Sequence, residues 1–250
     1  ENRDSFNEFK SRHIPNAQFF DIDVISDTNS PLPHMLPSPS SFNDHVENLG
    51  ISNNLKIIIY DTEGLFSAAR AWWMFKIMGH IEVFILDGGL PKWISENKPI
   101  SDNHQKAKRG SFFSTFEPSS IVDVSQISET KAQIIDARHP KRFSGEAPEQ
   151  RVNLRSGHIP NSVNIFYKLL LNEQKCLKTK LELLSIFLEA GIDLDKPIIN
   201  ILVNVDGAAN YDIAKGDDKQ DEDKIEEDSE PFALSLDYWG ITSARITYDD

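Results

Sequence analysis

Four arginines stand within eighteen residues of one another, in the stretch DARHPKRFSGEAPEQRVNLRSGHIP from Asp136 to Pro160. Arg138, Arg142, Arg151 and Arg155 fall between two apolar runs, in a segment rich in proline and glycine. A guanidinium takes two oxygens of a carboxylate or sulfonate-like group at once, so such a cluster suits a small-anion clamp. The plainer alternative is a solvated basic loop paired with Glu146 and Glu149, and surface pairs of that kind are weak. The proline, glycine and arginine content favours the clamp.

Other candidate groups are sparser. PLPHMLPSP frames His34 between prolines, with Asp21, Asp23 and Asp27 upstream. A carboxylate–histidine pair there would suit proton transfer, although a single loop histidine is more often a surface residue. His13 and His158 each precede Ile-Pro-Asn, and both read as structural residues bonding nearby backbone. Asp61 and Glu63 follow a strand-like run and precede a helix-like one. Such a loop can cradle an anion on helix N–H groups, but two carboxylates argue against a foreign anion there. Cys176, the one cysteine, lies among lysines in NEQKCLKTK. Neighbouring cations lower a thiol pKa, but its setting reads as an incidental surface thiol.

The elements that must position these groups come in two sets that echo each other. Ser11–Ala17 returns as Ser156–Ser162, LGISNNLKIIIYD returns as AGIDLDKPIINIL, and FKIMGHIEVFILD returns as LDYWGITSARITY. The order is the same each time, which marks a duplicated unit. Gly50 and Gly191 are 141 residues apart, but Gly79 and Gly240 are 161 apart. About twenty extra residues therefore lie between Leu202 and Gly240.

In the first half, helices are expected at Ser40–Leu49 and Phe66–Gly79, with strands at Lys56–Asp61 and Val83–Leu86. In the second, strands are expected at Gln133–Asp136, Val163–Ile165, Ile198–Val203 and Ala244–Tyr248, with helices at Leu181–Ala190 and Phe232–Trp239. FSAARAWWMF reads as a core-facing helix. Alternating strands and helices predict an α/β fold with small parallel sheets flanked by helices. The expected division is residues 1–105 and 106–250, with a polar linker over about 97–110.

The chain of 250 residues carries a net charge of −13. This argues against nucleic acid or an anionic membrane as partner, and the longest apolar runs are far too short to span a bilayer. Nine carboxylates and two lysines from Asp217 to Glu230 carry more than half of the excess. One cysteine excludes an intrachain disulfide and permits a reducing compartment. Nothing in the sequence has the spacing of a metal site or a cofactor motif.

Taken in order, HIPNAQFFDID, SPLPHMLPSP, SAARAWWMF, ILDGGLPKW, DAR…RFSGEAPEQR and RSGHIPNSVN resemble the rhodanese superfamily, most closely its two-domain sulfurtransferases. The resemblance runs from Arg3 to about Ile199 and resumes from Phe232 to Tyr248. Asn16 and Asn161 stand where the family has glycine. It implies tandem rhodanese-like domains, the second catalytic, that move a sulfane sulfur from thiosulfate or 3-mercaptopyruvate to a thiophilic acceptor through a cysteine persulfide. No cofactor is implied, and the compartment is cytoplasmic or mitochondrial. The family also has a strand ahead of the matched region and a Gly-Ser-Trp segment after it.

By the same resemblance, Arg142 and Arg151 match the arginines that hold the donor anion. Asp23 and His34 match the supporting residues of the mercaptopyruvate branch. The nucleophile position falls on Leu202, and the internal repeat, which pairs Leu202 with Asp61, agrees. VNVDGAAN replaces the family's cysteine loop, as a substituted segment between about 200 and 231 would leave it. The expectation is a sulfurtransferase-family protein without persulfide chemistry at that position. The alternative is a non-catalytic binding module whose acidic segment Asp217–Glu230 meets a basic protein.

Overall fold

The computed structural model describes residues 4–30, 34–118, 121–122, 124–149, 156–203, 209–214, 235–236 and 241–244, the last four spans from residue 201 onward as backbone only. In chain order the elements are helices α1 (Ser5–Ser11) and α2 (Pro39–Asn48), strand β1 (Ile57–Ile59), α3 (Ala68–Ile77), β2 (Val83–Leu86), α4 (Gly89–Ser95), α5 (Val124–Glu129), β3 (Gln133–Asp136), α6 (Pro140–Ser144), β4 (Ser162–Asn164), a 3-10 turn at Tyr167–Leu170, α7 (Lys180–Glu189), and β5 (Ile198–Val203), β6 (Ala209–Ala214), β7 (Ser235–Leu236) and β8 (Ile241–Ala244).

The helices begin and end where side-chain chemistry dictates. Ser38 caps α2 through its hydroxyl and Pro39 supplies a preset first turn. Thr179 and Glu182 close a reciprocal capping box on α7. Gly50, Gly79 and Gly191 follow the three longest helices with φ of 79°, 84° and 79°, the left-handed turn that stops a helix. At Gly79 the need is also steric, because a Cβ would stand 2.6 Å from the Thr115 carbonyl.

Two four-stranded sheets result, ordered β1-β2-β8-β7 and β4-β3-β5-β6. The inner pairings are parallel: β1 with β2, β2 with β8, and β3 with both β4 and β5. Antiparallel strands stand at one edge of each sheet, β6 on β5 and β7 on β8. The expected helix at Phe232–Trp239 is corrected in part, since Ser235 and Leu236 are strand, facing Thr242 and Ile241. Pairing with β-branched partners on β8 takes the backbone hydrogen bonds that a helix would have used.

Helix α3 is buried on nearly every side, and Trp72, Trp73, Met74, Phe75 and Ile77 join Phe42, Val46, Val83, Ile85 and Phe112 in the largest apolar cluster. The Trp72 indole N–H donates to the Val83 carbonyl at 3.1 Å, tying α3 to β2. The second half has smaller clusters around Ile134 and Ile199, and around Ile135, Ile165, Ile192 and Ile198.

The segment expected as a linker is pinned. Ser101 and His13 exchange backbone hydrogen bonds. Arg109 bridges Asp44 and Glu47 on α2, and the Gly110 amide donates to the Glu47 carbonyl at 2.7 Å. The Phe112 amide and Arg109 hold the Glu47 carboxyl below its ordinary range.

Candidate active site

The two HIPN histidines do the same structural task twice. His13 stacks on Phe9 at 4.5 Å and bonds the Phe9 carbonyl through Nδ1 at 2.8 Å. His158 stacks on Phe143 at 3.8 Å and bonds its carbonyl at 2.7 Å. Each holds the chain after it to a phenylalanine of an earlier helix, Phe9 of α1 and Phe143 of α6. The Asn that follows each Pro takes φ of 66°, a conformation asparagine tolerates better than most residues, which explains its use at a glycine position.

The loop after β1 is an anion cradle, and its anion is built in. Asp61 Oδ1 accepts from the amides of Glu63 at 2.9 Å and Gly64 at 2.7 Å. Its Oδ2 accepts from Phe66 at 2.7 Å and Ala68 at 2.9 Å, at the start of α3. Gly89 backs this loop closely: a Cβ there would meet the Asp61 carbonyl at 2.6 Å. The carboxylate thus fills the site that the sequence suggested no foreign anion would take.

Beside this loop the two halves touch. Phe66 packs against Tyr167 with centroids 5.6 Å apart. Glu63 lies 3.5 Å from Lys175, and the Leu177 amide donates to Asp87 at 2.9 Å. Cys176 sits in this seam and is 6% exposed, which corrects its reading as a surface thiol. The bridge between Leu171 and Leu177 turns the segment toward Asp87 and Gly88. Burial and the Asp87 carboxylate push the thiol pKa up, against the smaller pull of Lys92. A raised, buried thiol is a poor nucleophile.

Asp23 and His34 are brought together, His34 Nε2 bonding Asp23 Oδ1. His34 takes φ of 55°, and its carbonyl accepts from Arg70 Nη2 at 2.7 Å. Arg70, on α3, is 2% exposed, lies over the Trp73 ring at 4.5 Å, and among the described residues has no partner for Nε or Nη1. Burial pushes its guanidinium down to about 9. No feature of the SAARAWWMF pattern distinguishes this arginine from a solvent-facing one, so the sequence reading missed it.

In the second half, Asp136 at the end of β3 is fully buried and meets Arg138 through both oxygens, at 2.6 to 3.0 Å. Arg138 also reaches Glu149 Oε1 at 2.8 Å and the Gly157 carbonyl at 2.8 Å. Burial pulls Arg138 down, but Asp136 and Glu149 more than offset it and its pKa is raised. Arg142, on α6, meets Glu149 Oε2 through Nη2 at 2.5 Å and Nε at 3.2 Å. These are buried ion pairs, with Glu149 only 4% exposed, rather than the weak surface pairs of a solvated loop. Arg151 and Arg155 lie outside the described residues, as does the acidic run 217–230. Leu202 lies within β5, its backbone in register with Asn210 of β6.

Comparison with known proteins decides the family. The rhodanese-like domain family matches residues 3–96 and 121–226. The chain belongs to that family. It is 42% identical over 203 residues to the 3-mercaptopyruvate sulfurtransferase of Rattus norvegicus, covering 79% of this chain and 68% of the relative. It is 38% identical over 224 residues to the mitochondrial thiosulfate/3-mercaptopyruvate sulfurtransferase 1 of Arabidopsis thaliana, covering 80% of this chain and 59% of the relative. The crystal structure of the 3-mercaptopyruvate sulfotransferase of Escherichia coli superposes with a TM-score of 0.73 at 41% identity, covering 80% of this chain and 76% of that one. This rhodanese-like protein is therefore a member of the sulfurtransferase family with two rhodanese domains, each a small, mainly parallel sheet with helices. Among the described residues no helix is long and apolar enough to cross a membrane.

Proposed function

We propose that this rhodanese-like protein keeps the donor-binding and supporting groups of a thiosulfate/3-mercaptopyruvate sulfurtransferase but carries no sulfur at residue 202. Arg142 and Arg151 are assigned to the donor anion, Asp23 and His34 to support of the donor. The single observation that carries the reading is the leucine at the nucleophile position, inside a paired strand. The family step needs a thiolate that attacks the donor's outer sulfur. A new S–S bond forms as the donor's bond to that sulfur breaks, and sulfite or pyruvate enolate leaves with the electron pair. A leucine side chain offers no lone pair for this, and Cys176 is buried with its thiol pKa raised.

We propose units of 1–105 and 106–250, with β7 and β8 of the second stretch joining the sheet of the first, and a cytoplasmic or mitochondrial location, consistent with relatives of both bacterial and mitochondrial origin. The test is thiocyanate production from cyanide with either donor. No turnover is expected, and turnover that survives Cys176→Ser overturns the reading. A second reading is a binding module for a basic protein, favoured by the net −7 carried between Asp217 and Glu230. It predicts salt-sensitive binding to a basic partner that is lost when 217–230 is deleted.

A further inference from the structure

The donor-anion reading of Arg142 meets an obstacle within the protein. Arg142 is not held open for a ligand. Its Nε and Nη2, the edge that would grip an oxyanion, both point at Glu149 Oε2. The loop between them is folded back to make this contact. Gly145 takes φ of 83° after α6, and the Ala147 amide donates to the Lys141 carbonyl at 2.9 Å. Glu149 arrives with its other oxygen on Arg138, which is itself tied to Asp136. Two carboxylates and two guanidinium groups thus close on each other with no net charge.

We propose that Glu149 is an internal competitor for the anionic donor and sets which anions Arg142 accepts. A donor oxyanion takes the Arg142 edge by displacing Glu149 Oε2, while Oε1 stays on Arg138. Displacement needs an anion whose two oxygens can take Nε and Nη2 together. Because Glu149 also contributes a negative charge beside the site, it opposes a dianion such as thiosulfate more than a monoanion such as pyruvate. This places Glu149 as a selectivity residue favouring the carboxylate donor class, and it rests on the assignment of Arg142 to the donor.

The experiment is calorimetric titration of the full chain with pyruvate and with thiosulfate, in the unsubstituted protein and in Glu149→Gln, Glu149→Asp and Arg142→Gln. Glu149→Gln is expected to tighten pyruvate by about tenfold and thiosulfate by more, as one buried charge is removed. Glu149→Asp, which keeps the charge but draws it back from Arg142, is expected to fall between. It also serves if the glutamine variant does not fold. Unchanged or weaker binding in the folded Glu149 variants overturns the proposal and makes Glu149 a support for Arg142. The Arg142→Gln arm separates the two ideas. If the unsubstituted protein binds and this variant binds equally well, the donor assignment of Arg142 fails. If neither the unsubstituted protein nor the Glu149 variants bind either anion, both statements fail.

Discussion

Asp61 offers the most demanding test of how this scaffold stabilises negative charge. Four backbone amides converge on its carboxylate at 2.7 to 2.9 Å. Replacing it with alanine strips four donors of their partner at once. Hydrogen bonds to a charged group contribute about 1.5–3 kcal/mol each, but water enters this partly exposed loop and restores much of that, so a net loss of about 2–4 kcal/mol is expected. Asp61→Asn should do little better. Its amide nitrogen would face either the Glu63 and Gly64 donors or the Phe66 and Ala68 donors, donor against donor. Urea unfolding measures the loss, and amide exchange at Phe66 and Ala68 should accelerate with it. The decisive variant is Asp61→Cys in a Cys176→Ser background. A thiolate at residue 61 would sit among the same amides, so its alkylation rate should report a pKa about one unit or more below the ordinary value of about 8.5. An ordinary or raised thiol pKa in a folded variant would refute the claim that this array is a thiolate-stabilising cradle. A stability loss below about 1 kcal/mol in Asp61→Ala would refute the energetic argument.

Two further perturbations follow from buried charge. Arg138→Met leaves Asp136, fully buried, without its partner, and should cost about 3–5 kcal/mol in urea unfolding. Arg70 is pushed down to about 9 by burial, so the unfolded chain binds its proton more readily above that pH and stability gains from deprotonation as pH rises. Against Arg70→Met, the unsubstituted protein should therefore gain stability as pH rises above about 9, and a flat difference between pH 8 and 10.5 would contradict this.

Much of the scaffold was legible because its signals are local. The Val83–Leu86, Gln133–Asp136 and Ile198–Val203 strands are runs of β-branched residues bounded by polar ones, and the structure returns those bounds. The glycines after α2, α3 and α7 sit at the expected stops. Short helices such as α4 and α6, with one or two turns each, carry too little periodicity to be read. Burial was the harder quantity. Glu149 reads as a surface acid until the loop from Gly145 folds it over Arg142, and Cys176 reads as exposed until the two halves close on it. The first depends on a loop reversing over seven residues, and the second on contacts with a segment 90 residues away. The Asp23–His34 pair was legible as a possibility, but the arginine that holds the His34 carbonyl stands 36 residues along the chain and gave no sign.

The duplicated loop shows why the leucine at 202 has consequences beyond the missing thiol. A loop that curls between a strand and a helix leaves several amides pointing at one spot, and buried amides require acceptors. In the first half the acceptor is Asp61. At the repeat-equivalent position a leucine accepts nothing, so the same cradle there would be a set of unmet donors. The chain resolves this differently: β5 continues through Leu202 to Val203 and pairs antiparallel with β6, in register Leu202 with Asn210 and Val203 with Ala209. Leu202 and Val203 themselves are strand residues of this ladder, not the start of a loop. Restoring cysteine at 202 alone should therefore not restore a low thiol pKa. Alkylation of Leu202→Cys in a Cys176→Ser background should show a pKa at or above about 8.5, in contrast to the lowered value expected at residue 61. Equal, lowered values at the two positions would mean that a cradle survives in the second half and that this account of the strand pairing is wrong.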